Sequence, residues 1–341
     1  MSQSTSSDAI EQLRAFSNSP FSPEPPRRSR IVDVIFAVAQ RGRYSAHETP
    51  HLYGGLDVDK TRYEYEGTDE FWSAFAKVVR LDDLSGCDVL DVGCGWGGKV
   101  VRYAESTDVR SIVAFDLPGA FDPEVPQAFA REHNVDKTCT FLTGIAEEMP
   151  FDDDTFDVVV LDDVFEHVRR PVAALAECYR VLRSSGIVII RFPSIRMLHA
   201  HHLDRVMTYP GLHYMLPLKI WAAGLNYRLL EAHGTLHFEP FDEVVSTPFH
   251  TPFHQCVTRD LNGQSFADFK TIVARSGFEV VRLEIVPLPP RGGSPLWRAE
   301  SLVRRALSNF PPLREMLGMT IAFVGRKPAR FERGSCSRLG P

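Results

Sequence analysis

Residues Cys87 to Gly98 read CDVLDVGCGWGG, and no other stretch of the chain constrains its fold as strongly. A short apolar run ends in the acid Asp91. Glycines follow at alternate positions, Gly93, Gly95 and Gly97, before a helix-like segment that starts near Gly98. Glycine lets a backbone turn this sharply and approach a ligand, because a Cβ would block both. A strand, such a loop and then a helix form the nucleotide-cradling start of a doubly wound α/β fold. Taken alone, the loop does not separate a dinucleotide from any other adenosine-bearing ligand.

The following segments narrow the choice. A second β-rich run, Ser111 to Phe115, ends in Asp116, 25 positions after Asp91. An acid at that strand tip is placed to accept hydrogen bonds from both ribose hydroxyls of an adenosine. A third run, Thr138 to Leu142, leads into GIAEEMPF (144–151), then DDDTFDVVVL (152–161), then VFEHV (164–168). This ordered set resembles the class I S-adenosylmethionine-dependent methyltransferases, in the branch with a GxAExLPF, FDVV and EHV signature. The resemblance runs from about Cys87 to Phe192, roughly a third of the chain.

The resemblance implies roles for individual residues. Gly93, Gly95 and Gly97 would line the methionine part of S-adenosylmethionine, with Asp91 near its ammonium. Asp116 would hold the ribose, Leu117 would pack on the adenine, and the N–H of Ala146 would reach an adenine nitrogen. Asp162, at the tip of the fourth strand, is counted with these cofactor-binding residues. The family usually carries an acid just before that alanine, where this chain has Ile145. Glu147, or a water, is expected to cover the missing contact to the adenine amino group.

A chain of 341 residues can bury a large core, divided as one catalytic domain with sizeable insertions. A net charge of −6 argues against a nucleic-acid partner, whose phosphates demand a basic face. The six cysteines form no CxxC pair. Cys87, Cys139 and Cys178 read as reduced small hydrophobes, as in a cytoplasmic protein. No apolar run reaches the length of a membrane span, and residues 1–30 lack the apolar centre of a signal peptide.

Periodicity predicts strands near 87–92, 111–116, 138–142, 156–161, 186–192 and 278–287, with a last antiparallel one at 319–325. Helices are expected near 98–106, 123–133, 171–183 and 265–276, Gly186 serving as stop signal before the fifth strand. The sheet is thus a mostly parallel, seven-stranded one. Around it, residues 1–30 read as a disordered tail, 31–85 as a helical cap, 86–192 as the cofactor-binding core and 193–263 as a lid. Residues 264–327 complete the core around an insertion at 288–318, and 328–341 form a basic tail. The lid holds eight of the twelve histidines, together with Tyr209, Tyr214, Trp221 and Tyr227. Insertions after the fifth strand sit over the carboxyl edge of the sheet, where open α/β folds bind ligands.

Candidate chemistry gathers after the fourth strand. His167 has the ordinary pKa of a general base, or it fixes its loop by hydrogen bonding. Asp163, Glu166 and His167 also read as half of a divalent-metal site, resembling the E-x-x-E-H set of certain O-methyltransferases, with lid histidines as completing ligands. Of the lid histidines, one or two are expected to line the acceptor pocket. Leu296, Ala299, Val303, Leu307 and Phe310 have helical spacing. Beyond Pro290 basic residues outnumber acids ten to three. That segment reads as a helix covering the sheet edge with a solvated tail, or as an interfacial helix touching anionic lipid.

These readings converge on methyl transfer from S-adenosylmethionine to a small or medium organic acceptor with ring or apolar surface, such as a natural product, sugar-lipid or quinone-like molecule, with O-methylation expected. The competing readings are methylation of RNA or protein, and a nucleotide-binding module without turnover. The residues leave the acceptor, the methylated atom and the oligomeric state open.

Overall fold

The computed structural model of the chain describes residues 58–67, 84–118, 121–198, 262–287 and 302–329. The expectations for the tail at 1–30, most of the cap, the lid from 199 to 261 with its eight histidines, residues 288–301 and the end of the basic tail lie outside these residues.

Seven strands build one sheet: β1 (Asp88–Val92), β2 (Ser111–Asp116), β3 (Cys139–Thr143), β4 (Phe156–Asp162), β5 (Leu182–Phe192), β6 (Glu279–Pro287) and β7 (Gly318–Arg326). Their spatial order is β3-β2-β1-β4-β5-β7-β6. The first five run parallel, and β7 enters antiparallel between β5 and β6, as expected. The order reverses at β1, so β1 and β4 flank the crevice in which such sheets bind ligands.

Helices cover both faces, which is why the central strands are apolar throughout rather than alternating. α1 (58–67), α2 (Gly98–Ser106) and α3 (Glu124–Glu132) precede α4 (Pro171–Val181) and α5 (Phe266–Arg275). Val89, Val158, Val160 and Ile189 pack with Val100, Val101 and Phe129 on one face. Leu90, Val159, Leu161 and Ile190 pack with Leu175, Cys178, Phe269 and Val273 on the other. Cys139 and Cys178 are buried in these clusters and unbridged. α5 opens on a reciprocal cap, in which the Ser265 hydroxyl accepts from the Asp268 N–H and the Asp268 carboxylate accepts from the Ser265 N–H.

Three details differ from the sequence expectation. α4 ends at Val181, and Leu182 already pairs with Phe156 of β4, so strand begins where helix was expected. The left-handed residue of this junction is Ser185 (φ 67°), whereas Gly186 serves close packing: a Cβ there would lie 2.9 Å from the carbonyl oxygens of Arg183 and Asp157. Finally, α6 (302–307) does not bury the expected apolar stripe on the sheet edge: Val303 is 58% exposed and Phe310, just past the helix, 60%. It is followed by α7 (Pro311–Met316), whose Glu315 is buried and accepts from the N–H of Phe266 at 2.7 Å and from the hydroxyl of Ser194. Among the described residues no helix is long and apolar enough to cross a membrane.

Candidate active site

The glycine loop is tied to the end of β2 by its own backbone. The N–H groups of Gly93 and Cys94 both donate to the carbonyl of Phe115, at 2.8 and 3.1 Å. The next N–H of the alternate-glycine pattern, that of Gly95, donates to Oδ2 of Asp116 at 2.8 Å, and the N–H of Leu117 donates to Oδ1 at 2.6 Å. Both carboxylate oxygens are therefore oriented by main chain. Burial raises the Asp116 pKa, and these two N–H groups and Lys99 oppose the rise.

Gly93 (φ 74°) and Gly95 (φ 62°) take left-handed conformations that favour glycine. A Cβ on Gly93 would lie 2.4 Å from Cγ2 of Val164, so the loop after β4 packs directly on the glycine loop. Gly97 (φ 78°) is the residue before α2. On the far side of Asp116, the Gly144 N–H donates to the Asp116 carbonyl at 3.0 Å. That bond carries the turn holding buried Ala146 to the side of Asp116 on which an adenine is expected.

Glu147 has another task than the one expected. Its Oε1 accepts from the N–H groups of Arg169 and Arg170, at 2.9 and 3.1 Å, just before α4. The carboxylate thus satisfies orphan donors at a helix start. Its contacts do not support the role of adenine acceptor in place of the missing acid.

A row of buried charge crosses the carboxyl ends of the central strands. Asp91 of β1, Asp162 of β4 and Arg191 of β5 lie on the sheet face that α2 covers, and all are less than 9% exposed. Arg191 sits directly opposite Asp162 in the ladder. Its Nε donates to Oδ1 of Asp162 at 2.5 Å, and its Nη2 donates to Oδ2 of Asp163 at 3.0 Å. Lys99, in the first turn of α2, pairs with Oδ2 of Asp162 at 3.4 Å. Burial works against the Lys99 charge, but Asp162, Glu64 and Asp91 outweigh it and hold the ammonium protonated. Burial pushes the Asp91 carboxyl up to about 7, with Lys99 opposing and Asp162 and Glu64 adding to the rise. Around the glycine loop and this row stand the carboxyls of Glu64, Asp91, Asp116, Asp162 and Asp163, beside the cations Lys99, Arg191 and, over Trp96, Lys60. The surplus of acid suits a ligand carrying positive charge.

The segment after β4 contains the remaining expected residues. Asp163 adopts φ 55°, an uncommon conformation for a residue other than glycine, and leads into a 3-10 turn, Phe165–His167. Burial, followed by the nearby Asp163 charge, pushes the Glu166 carboxyl well above its ordinary range. His167 is partly exposed, with Nε2 3.9 Å from Oε1 of Glu166. Asp163, Glu166 and His167 are not assembled as a ligand set: Asp163 is engaged by the Arg191 guanidinium. Among the described residues no group of three or more His, Cys, Asp or Glu side chains is arranged to hold a metal. The lid histidines expected to complete that set lie outside the described residues. Asn262 clamps the turn instead, its Nδ2 donating to the carbonyls of Phe165 (2.6 Å) and Val168 (3.0 Å), while its own N–H donates to the carbonyl of Glu166 (2.7 Å). Nearby, the N–H of Ile195 donates to the carbonyl of Gln264 at 3.1 Å. The two stretches that flank the 199–261 insertion thus meet at this edge of the sheet.

Sequence reading missed Glu64, Lys99, Arg191 and Asn262. Arg191 had a signal: a lone charge in the run IVIIRF demands a buried partner. Glu64 lies on α1, which packs against the glycine loop. Its Oε2 accepts from the Gly98 N–H at 3.1 Å.

A seven-stranded sheet in this order, with glycines and an acid at the tips of β1 and β2, is the architecture of the class I methyltransferases. Residues 90–190 match a family model described as a methyltransferase domain, so this stretch of the chain is a methyltransferase domain of the class I, S-adenosylmethionine-dependent kind. Among curated relatives, an uncharacterized methyltransferase of Schizosaccharomyces pombe is 32% identical over 147 residues, covering 41% of this chain and 51% of that protein. A glycine/sarcosine/dimethylglycine N-methyltransferase of Actinopolyspora halophila is 28% identical over 214 residues, 58% of this chain and 37% of its own. A ubiquinone biosynthesis O-methyltransferase of Pseudomonas entomophila is 35% identical over 107 residues, 31% of this chain and 44% of its own. The chain spans about half the length of the curated relatives it matches.

Proposed function

We propose that this chain transfers the methyl group of S-adenosylmethionine to a small or medium organic acceptor with ring or apolar surface, by O-methylation. The observation that carries the reading is Asp116, buried beside the glycine loop with each carboxylate oxygen oriented by a backbone N–H. A carboxylate held this way keeps lone pairs for a vicinal diol and loses no side-chain freedom on binding one. The residues fit the cofactor in two further respects. The left-handed backbone at Gly93 and Gly95 turns the loop sharply at the strand end, and the surplus of acid suits an ammonium and a sulfonium.

When bound, S-adenosylmethionine supplies an electrophilic methyl group. The chain's own residues then bind, align and exclude water. In this reading Asp116 accepts from the ribose hydroxyls, Leu117 and Ala146 hold the adenine, and Asp91, with Asp162 behind it, balances the ammonium. His167 takes the proton of the acceptor hydroxyl. Its position on the turn that packs on Gly93 supports that role. The acceptor site is assigned to the edge above β4 and β5, where the flanks of the insertion meet. The aromatic residues of that insertion suit a ring-bearing acceptor. One matched relative is named for O-methylation in ubiquinone biosynthesis and another for N-methylation of glycine derivatives, and the ring-bearing class accords with the former.

Calorimetric titration tests this directly. Asp116→Ala is expected to weaken S-adenosylmethionine binding by roughly 2–4 kcal/mol, as for the loss of charge-assisted hydrogen bonds. Unchanged affinity would remove Asp116 from the site and the reading with it.

A further inference from the structure

α1 is joined to the cofactor loop by three of its side chains. The Thr61 hydroxyl, fully buried, donates to the carbonyl of Trp96 at 2.9 Å. The Lys60 ammonium lies 5.6 Å from the centre of the Trp96 ring. Glu64 reaches furthest in. Its Oε2 accepts from the Gly98 N–H, and its Oε1 lies 2.6 Å from where a Gly95 Cβ would stand. The approach is closer still at Gly98, where a Cβ would be 1.9 Å from the carbonyl oxygen of Thr61.

The next residue fixes the helix from its other side. The Tyr65 ring meets Phe129 edge-on at 5.5 Å and His133 at 4.5 Å, and its hydroxyl donates to Glu105 of α2. Glu64 is therefore carried on a helix anchored to both α2 and α3, and its carboxylate stands at one place beside Gly95. Asp116 holds the other side of Gly95 through the N–H of that residue. Bringing a second carboxylate this close is unfavourable by itself. Burial pushes the Glu64 carboxyl up to about 7, with Lys99 opposing and Asp116 contributing to the rise. A site that tolerates this cost without a ligand gains when a cation arrives.

We propose that Glu64 is a cofactor-binding residue: its carboxylate, positioned on the Gly98 N–H by α1, accepts from the ammonium of the methionyl end of the cofactor. The assignment rests on the proposed use of S-adenosylmethionine and adds to it a ligand from outside the sheet. The sheet then holds the nucleoside through Asp116 and balances the ammonium with Asp91, while α1 adds the direct acceptor Glu64 at the amino-acid end. Glu64 would then discriminate against adenosine ligands that lack the amine.

Two ligands separate these contributions: S-adenosylhomocysteine, which retains the amine, and methylthioadenosine, which has the nucleoside without the amino acid. Both are titrated at pH 8 into the full chain and into Glu64→Gln, whose amide preserves side-chain shape and an acceptor for Gly98. The expected result is about tenfold weaker binding of S-adenosylhomocysteine by the variant, with methylthioadenosine changed less than twofold. Unchanged or tighter S-adenosylhomocysteine binding overturns the assignment, the tighter case meaning that Glu64 blocks the site. Equal weakening of both ligands also overturns it, because the carboxylate then only supports the loop. A parent chain that binds neither ligand refutes the cofactor reading itself, whereas the other failures leave that reading standing.

Discussion

The two halves of the crevice are built from different materials. At β1 and β2 the groups are set by main chain: the N–H groups of Gly93 and Cys94 on the Phe115 carbonyl, and those of Gly95 and Leu117 on Asp116. At β4 and β5 they are set by side chains: Arg191 between Asp162 and Asp163, and Asn262 on the turn that carries His167. A main-chain cradle depends on backbone conformation, which single side-chain replacements elsewhere leave intact. A side-chain lattice depends on every member, since each removal strands a charge or a carbonyl. The comparison predicts that the β4–β5 half tolerates substitution less, and that its losses stay out of the nucleoside site.

The largest effect is expected at Arg191. Arg191→Met keeps the stem's bulk but leaves Asp162 with Lys99 and takes the guanidinium from Asp163. Removing one partner of a buried ion pair costs about 3–5 kcal/mol. Urea unfolding should show that loss, and the double variant Arg191→Met/Asp162→Asn should recover part of it. A loss well under 1 kcal/mol would mean that the lattice is not what holds this edge.

A kinetic effect of similar size is expected at His167. If it takes the acceptor's proton, His167→Ala lowers turnover on the order of 10²–10⁴-fold with cofactor affinity unchanged. A radiolabelled methyl donor and a panel of ring hydroxyl compounds supply the assay. Retained turnover, or turnover lost together with cofactor binding, would reassign His167 to loop support.

The same division explains what could be read before the structure. Glycine spacing, the acids at Asp91 and Asp116, and the strand positions along the chain were legible because each is a local requirement of backbone or strand tip. What escaped depends on residues distant in sequence meeting in space. Asp162 and Arg191 face each other through ladder register, 29 positions apart, and Glu64 meets Gly98 across 34. Glu147 shows the converse. Its motif was placed correctly, yet its carboxylate serves the N–H groups of Arg169 and Arg170, 22 and 23 positions on. The guanidinium that engages Asp163 likewise arrives from β5, 28 positions on.

A smaller effect, on pH dependence, sharpens the comparison from the cradle's side. Asp91 is raised from its ordinary value of 3.8 to about 7, so the folded chain holds that proton more tightly than the unfolded one. Its contribution to stability is fully present below pH 4 and is lost as pH rises to about 7, by roughly 2–4 kcal/mol. Asp91→Asn should flatten that part of the profile when unfolding free energies are compared at pH 5 and pH 8 without cofactor. Parallel profiles for parent and variant would show that Lys99 already neutralises Asp91 in full.

The smallest effect distinguishes the halves most directly. Asn262 satisfies two carbonyls of the His167 turn, and its Oδ1 accepts from the Gln264 N–H at 3.1 Å. Asn262→Ala removes all three side-chain bonds while keeping the backbone bond to Glu166, so the turn loosens without being released. The expected cost is about 1–2 kcal/mol, because carbonyls near the surface regain water in part. Amide hydrogen exchange should then rise at residues 165–168, where the turn has lost its clamp, and stay unchanged at residues 93–98, where the main-chain bonds to Phe115 and Asp116 persist. Turnover should fall more than cofactor affinity, since the turn carries the proposed base. If exchange rises equally in both stretches, the packing of Val164 on Gly93 couples them into one cooperative unit, and the division between a main-chain half and a side-chain half fails.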